Sequence, residues 1–341
     1  MTLKTALLGT LASCALCAGS ANAADVTLLM HHFLSPAANA HKLMLQGWAD
    51  DVTAQSEGRI EIQIFPAMSM GGKPGELYSQ VRDGSADIVW TLLGYTPGVF
   101  PRTEVFELPT VHRGSAAATT QALNASIDML AEDFKDVHVL FLHTHDGNLI
   151  HSATKPVESF DDVAGMKLRT PGRTGAWVIE GMEAEPVAMP VPALPEAMSK
   201  GVVDGALTTY EIVPALKLQE LDKHVTELPD GDRFGTAVFM LAMNKDAYDA
   251  LDDELKAVID ANSLTNVSAE IGQMWEGFEQ SGLDALASKG IEPTVLSAEE
   301  AAKFEAVNQA VVQRWVDDVS AQDIDGAALV EAARAAIAAA E

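Results

Sequence analysis

Histidine and arginine are the residue types in this chain best placed to do chemistry. His143, His145 and His151 flank the turn Asp146-Gly147-Asn148, and His31, His32 and His41 surround the end of the first predicted strand. His143 and His145 are two apart, so on a strand they share a face. That pairing could be half of a zinc site or, with Asp146, the base of a periplasmic hydrolase or lyase. The pattern stops there. The chain has no H-E-x-x-H, no G-x-S-x-G, no P-loop and no G-x-G-x-x-G after a strand. The plainer reading of the histidines is polar residues at strand ends that line a cleft or cap loops. No enzyme, metal or cofactor is expected.

Arg169 has a better-defined setting. In Gly165-Met-Lys-Leu-Arg-Thr-Pro-Gly172, Lys167 and Arg169 share one face of a short strand that stops at Thr170-Pro171-Gly172. In open α/β sheets ligands bind at the carboxyl ends of strands. A guanidinium there offers two parallel donors that match a carboxylate.

The elements that must hold these residues alternate between strand and helix. Val26 to Met30, Arg59 to Phe65, Ala86 to Trp90, Val137 to His143, Met166 to Thr170 and Val203 to Leu207 read as strands. Asn39 to Ser56, Glu76 to Asp83, Trp177 to Met182 and Ala193 to Lys200 read as helices, and helix dominates after Lys245, ending in an alanine-rich helix over Ala327 to Ala340. The fold class is α/β, with mostly parallel sheets expected.

The amino terminus reads as an export signal. Lys4 precedes a small apolar stretch from Thr5 to Ala18, and Ala21-Asn22-Ala23 forms an A-x-A cleavage site. The stretch is too short and too broken for a membrane anchor. Leu11-Ala12-Ser13-Cys14 offers a lipoprotein alternative, but the apolar run before it is very short. Removing 23 of 341 residues leaves 318, takes away both cysteines, Cys14 and Cys17, and moves the net charge from −27 to −28. A mature chain without cysteine has no disulfides, and it exceeds the size at which one core usually splits in two. Such acidity argues against nucleic acid and anionic membranes as partners. An anionic ligand would then need its own local positive charge.

A set of short motifs runs in order along the chain. The Arg59 to Pro66 strand leads to Val81-Arg82-Asp83-Gly84-Ser85-Ala86-Asp87-Ile88, then Phe106-Glu107-Leu108-Pro109 and Leu-Arg-Thr-Pro-Gly around Arg169. Pro190-Val191-Pro192, Glu196-Ala197, Gly201-Val202-Val203-Asp204-Gly205-Ala206 and Met243-Asn244-Lys245-Asp246 follow. Over essentially the whole mature chain this resembles the substrate-binding proteins of tripartite ATP-independent periplasmic (TRAP) transporters, of the C4-dicarboxylate-binding type.

The resemblance implies a two-lobed periplasmic binding protein fold with an interlobe cleft, crossing strands and a long helix. Lobe one would hold residues 25–147 and 236–274. Lobe two would hold 148–235 and 275–303, with 304–341 packing back on the lobes. Phe234 to Met243 would be a return strand, and the hinge would lie at Thr144 to Leu149 and Asp230 to Thr236. Arg169 falls at the family's carboxylate-binding arginine. Phe33, Trp90 and Tyr95 on one side of the cleft, and His145, Asn148, Thr208, Thr209, Tyr210 and Glu211 on the other, would complete the site. The expected ligand is a small organic acid with an apolar, aromatic or cationic part, and the expected partner is a TRAP membrane permease. The protein itself would act in the periplasm without inserting into the membrane.

Overall fold

The computed structural model describes residues 24–341. The expected signal segment, its expected cleavage site and both cysteines lie outside the described residues.

The strands are β1 (Val26–His32), β2 (Ile60–Phe65), β3 (Ile88–Leu92), β4 (His138–Thr144), β5 (Leu149–Ser152), β6 (Lys167–Thr170), β7 (Glu185–Ala188), β8 (Gly205–Thr208), β9 (His224–Glu227), β10 (Val238–Met243) and β11 (Thr294–Val295). They form two sheets, ordered β2-β1-β3-β10-β4 and β11-β9-β5-β8-β6-β7. In the first sheet β3 and β10 are central. Their runs Ile-Val-Trp-Thr-Leu and Val-Phe-Met-Leu-Ala-Met are buried throughout, which is why neither alternates. Edge strand β2 does alternate, with Glu61 and Gln63 exposed between apolar neighbours.

The sheets are mixed, which corrects the expectation of mostly parallel pairing. Five pairings are parallel and four antiparallel. The antiparallel ones all involve β5 or β10. Each is the first strand laid down after the chain has crossed from the other sheet, so it enters from the end its neighbours leave. The carboxyl ends of β1, β3, β6 and β8 therefore open onto the space between the sheets, where β5 and β10 begin.

Some boundaries also move. The helix expected over Asn39 to Ser56 opens as a π-helix, Ala40–Leu45, and continues as an α-helix over Gln46–Gln55. Trp90 is mid-strand in β3 instead of closing the strand. The return strand pairs only from Val238, because residues 234–237 are occupied in the crossing. The helix expected from Trp177 starts four residues earlier, at Arg173.

The crossings bind to each other. Asn148 donates its backbone N–H to the Gly235 carbonyl (2.8 Å) and accepts from Phe234 (3.0 Å). Gly147, at φ +121, lies under the Arg233 side chain, where an added Cβ would stand 2.4 Å from Arg233 Cγ. That position suits only glycine. The longest helix near the crossings, Ser268–Ala287, packs against the helix Ala116–Ala125 and strand β4 from the first sheet's side and against Val213–Leu216 from the second's. Ala298–Ser320 packs on the Arg173–Gly181 helix, and Gly326–Ala340 on Ala116–Ala125. Among the described residues no helix is long and apolar enough to cross a membrane.

Candidate functional site

A tight cavity of about 30 Å³ lies between the sheets where the strand ends converge. Arg169, the third residue of β6, is 2 % exposed. Its Nε donates to the Met189 carbonyl (2.9 Å), while Nη2 is buried with no protein partner. Burial pushes this guanidinium down from its ordinary value, and the neighbouring Tyr95 hydroxyl partly opposes that. Two further buried groups on the same cavity wall lack partners, the side-chain oxygens of Asn148 and Thr209. Buried polar atoms are nearly always satisfied, and three orphans around one space mark that space as a site. The guanidinium and the hydroxyl supply donors suited to a carboxylate, while the Asn148 amide oxygen supplies an acceptor.

The facing wall is aromatic. Phe33 stacks on Trp90 at 4.9 Å between centroids, and Phe239 stacks on Trp90 at 5.1 Å. Phe33, Trp90 and Phe239 all line the cavity. Trp90 Nε1 donates to His143 Nε2 (2.8 Å), and the His143 ring is itself stacked on Phe239 and Trp275. Burial lowers the His143 pKa to about 3, so the ring stays neutral and its lone pair is already engaged. This removes His143 from the zinc and base roles considered from sequence. His145 does reach the cavity, but its Nδ1 accepts from the Gly147 N–H (3.0 Å) and meets the Thr236 hydroxyl (3.1 Å). Among the described residues no group of three or more His, Cys, Asp or Glu side chains is placed to hold a metal.

Of the residues singled out from sequence, Phe33, Trp90, His145, Asn148, Arg169, Thr208, Thr209 and Glu211 line one cavity. Tyr95 stands at its edge, with its ring against Phe33 and its hydroxyl accepting from the Val191 N–H at 2.8 Å. Tyr210 does not line it. Its ring turns to His151 and its hydroxyl toward Glu227. Sequence reading missed Leu34, Leu92, Pro171, Val191, Ile212 and Phe239, which complete the apolar lining. Phe239 carried one usable signal: it lies in the predicted return strand, which the structure pairs beside the strand bearing Trp90.

The mouth of the cleft is shut by contacts between the two sides. Gly94 and Gly172 meet so closely that a Cβ on Gly94 would lie 3.1 Å from Gly172 Cα. Arg173, at the start of its helix, places Nε 2.8 Å from Glu104 of the 103–107 turn and Nη1 2.7 Å from Asp318. Thr174 donates to the buried Glu107 carboxyl (3.2 Å), which also accepts from Val238 N–H (3.0 Å).

Residues 30–318 match the model of DctP, bacterial extracellular solute-binding protein family 7. The chain belongs to that family. It is a TRAP-type solute receptor, similar over its length to solved structures of the same kind. One is a TRAP solute binding protein of an unidentified marine microbe, specific for aromatic acid ligands and co-crystallised with 3-hydroxybenzoate. It is 40 % identical with a TM-score of 0.91, covering 94 % of this chain and 100 % of that one. A second, from Rhodoferax ferrireducens T118 with copurified benzoate, is 38 % identical with a TM-score of 0.90, covering 92 % and 98 %. The outer membrane transporter protein TsaT of Comamonas testosteroni is 25 % identical over 94 % of both chains. The two structures hold aromatic monocarboxylates, not the C4-dicarboxylates for which the resembled type is named.

Proposed function

We propose that this receptor captures an aromatic monocarboxylate in the periplasm, after signal cleavage near Ala23, and hands it unchanged to a TRAP membrane permease. The observation that carries the reading is the buried Arg169 Nη2 without a protein partner, facing a cavity whose other wall is a stack of aromatic rings. The guanidinium takes the carboxylate bidentately, with the Asn148 and Thr209 side chains beside it. The ring lies against Phe33, Trp90 and Phe239, with Tyr95 at the edge. The bound structures of the two relatives support the ligand class.

Lobe one (25–147 and 236–274) and lobe two (148–235 and 275–303) close over the solute about the two crossings. The 304–341 segment packs back on both. The boundary between residues 274 and 275 falls inside the unbroken Ser268–Ala287 helix, which would bend or pivot as a unit. Closure is driven by the ligand because it touches both walls only when the cleft is shut. The alternative of a hydrolase or lyase on the His143/His145 cluster is disfavoured, since the His143 lone pair is spent on Trp90 and His145 Nδ1 on the Gly147 N–H.

Native mass spectrometry of the purified protein, followed by calorimetric titration with benzoate, 3-hydroxybenzoate, succinate and malate, tests this reading. An aromatic acid should bind and elute chemically unchanged. Binding confined to the dicarboxylates would overturn the ligand class, and a converted product would overturn the receptor role.

A further inference from the structure

The cavity wall opposite the aromatic stack carries a second buried ionisable group, Glu211, just after β8. It is 6 % exposed, and no ion pair or side-chain hydrogen bond engages it among the described residues. The charged groups that bear on it are two more carboxyls, Asp146 on the first crossing and Glu279 on the Ser268–Ala287 helix. Each has its own engagement. Asp146 Oδ1 accepts from the Ala116 N–H (3.0 Å), and Glu279 faces Arg233 Nη2 at 3.4 Å. Arg169 lines the same cavity, yet its neighbours are Tyr95 and Met189, not Glu211. The site thus holds an anchoring cation and, apart from it, a carboxyl that no cation neutralises.

Burial and the two acidic neighbours push the Glu211 carboxyl up to about 8, so it keeps its proton at neutral pH. A neutral carboxyl is both a donor and an acceptor. Its best complement is a neutral hydroxyl. A second ligand carboxylate would bring negative charge toward a carboxyl on which Asp146 and Glu279 already bear, and a bare ring edge would leave the buried carboxyl unpaired.

Resting on the reading of Arg169 as the carboxylate anchor, we infer that Glu211 is a specificity-determining residue that reads a hydroxyl on the aromatic ring, making the favoured solute a hydroxy-substituted aromatic acid. Sites built to hydrogen-bond a substrate hydroxyl discriminate strongly against analogues lacking it.

The test is a calorimetric panel at pH 7 with benzoate, the 2-, 3- and 4-hydroxybenzoates and 3-(aminomethyl)benzoate, run on wild type, Glu211→Leu and Glu211→Gln. Wild type should prefer at least one hydroxybenzoate over benzoate by about tenfold or more. In Glu211→Leu that ratio should collapse to within about threefold, whereas Glu211→Gln, which keeps a neutral donor and acceptor, should retain most of it. The ratio is internal to each variant, so a general loss of stability does not imitate the effect. A Glu211→Leu ratio equal to wild type's, or a wild-type preference for benzoate or for the cationic aminomethyl compound, would overturn the inference and leave the aromatic-acid reading standing. Failure of every benzoate to bind, with another carboxylate binding instead, would overturn both.

Discussion

The two walls of the cleft are built to different standards of completion. On the first sheet's side the polar groups behind the aromatic lining are engaged within the protein. The Trp90 indole N–H is on His143, the imidazole is sandwiched among Phe239, Trp90 and Trp275, and Phe33 caps the stack. On the second sheet's side Arg169 Nη2, the Asn148 amide oxygen and the Thr209 hydroxyl are buried without protein partners. Leaving such groups bare costs folding free energy, of order 1–3 kcal/mol for each neutral one and more for a charge. A protein that gathers this cost around the cavity on one wall has divided the labour. One wall is core that happens to face a ligand, and the other is completed by the ligand.

That division predicts opposite signs for substitutions on the two walls. The largest effect belongs to Arg169. Arg169→Met should weaken binding of the cognate acid by at least about 100-fold, because a buried, hydrogen-bonded charge pair is worth several kcal/mol to the complex. The same change removes an unpaired buried cation, so ligand-free protein should melt at a higher temperature than wild type. Differential scanning calorimetry without ligand and titration with it decide the matter together. If Arg169→Met melts lower and binds within about threefold of wild type, the unfinished-wall account fails.

Trp90 should behave in the other sense. Trp90→Phe keeps most of the stack but strips the donor from His143, leaving a buried acceptor unpaired at a cost of about 1–3 kcal/mol. Stability should fall even without ligand, and chemical denaturation would register it as a lower midpoint. A Trp90→Phe protein of unchanged stability that loses only binding would place Trp90 with the unfinished wall instead.

The asymmetry also shows what could be read from sequence. Arg169, Asn148, Thr208, Thr209 and Glu211 were legible because polar residues at strand ends have few reasons to be there except caps or ligands. Leu92, Val191, Ile212 and Phe239 were not, since an apolar side chain in a strand or short helix looks the same whether it faces core or cleft. Only the packing of the second sheet against the first decides. Tyr210 shows the limit of proximity in sequence. It stands between Thr209 and Glu211, both of which line the cavity, and successive residues of an extended segment face opposite ways. The sheet order was hidden for a related reason. Nothing local in Val238–Met243 or Leu149–Ser152 states that each enters its sheet from the neighbouring one.

Titration offers a further test, because the buried imidazoles and the buried carboxyls are stabilised by opposite proton states. Burial lowers His143 and His32 to about 3 and His112 to about 4, so their contribution is complete above the usual imidazole value of 6.5 and is lost as pH falls through those lowered values. Asp146 is raised to about 7, and Glu107 and Glu211 to about 8. Their contribution is complete below the ordinary carboxyl values and is lost as pH rises toward and through the raised ones. Between about pH 4.5 and 6.5 the two trends oppose each other, and above 6.5 only the carboxyl trend operates. Ligand-free protein should therefore be most stable near about pH 6 and lose several degrees of melting temperature by pH 8.5. A melting temperature still climbing from pH 6 to 8.5 would mean that these carboxyls are ionised in the fold.

The smallest predicted effect tests the mouth, where the two walls touch without ligand between them. Glu104 joins Arg173 across the lip, and Asp318 holds the same guanidinium from the Ala298–Ser320 helix. Glu104→Gln keeps the side chain's shape and removes the charge, while Arg173 retains Asp318 and is not left bare. The shut form then loses part of one partly exposed ion pair, of order 1 kcal/mol, which shifts the open–shut equilibrium by about fivefold. Because ligand binds the shut form, its affinity should fall by no more than that factor, through faster release and not slower capture. Small-angle scattering of the ligand-free variant should show a larger radius of gyration than wild type, and saturating ligand should bring the two together. Equal radii without ligand, with affinity unchanged, would mean that Glu104 and Arg173 hold the lip only after the ligand has already closed it.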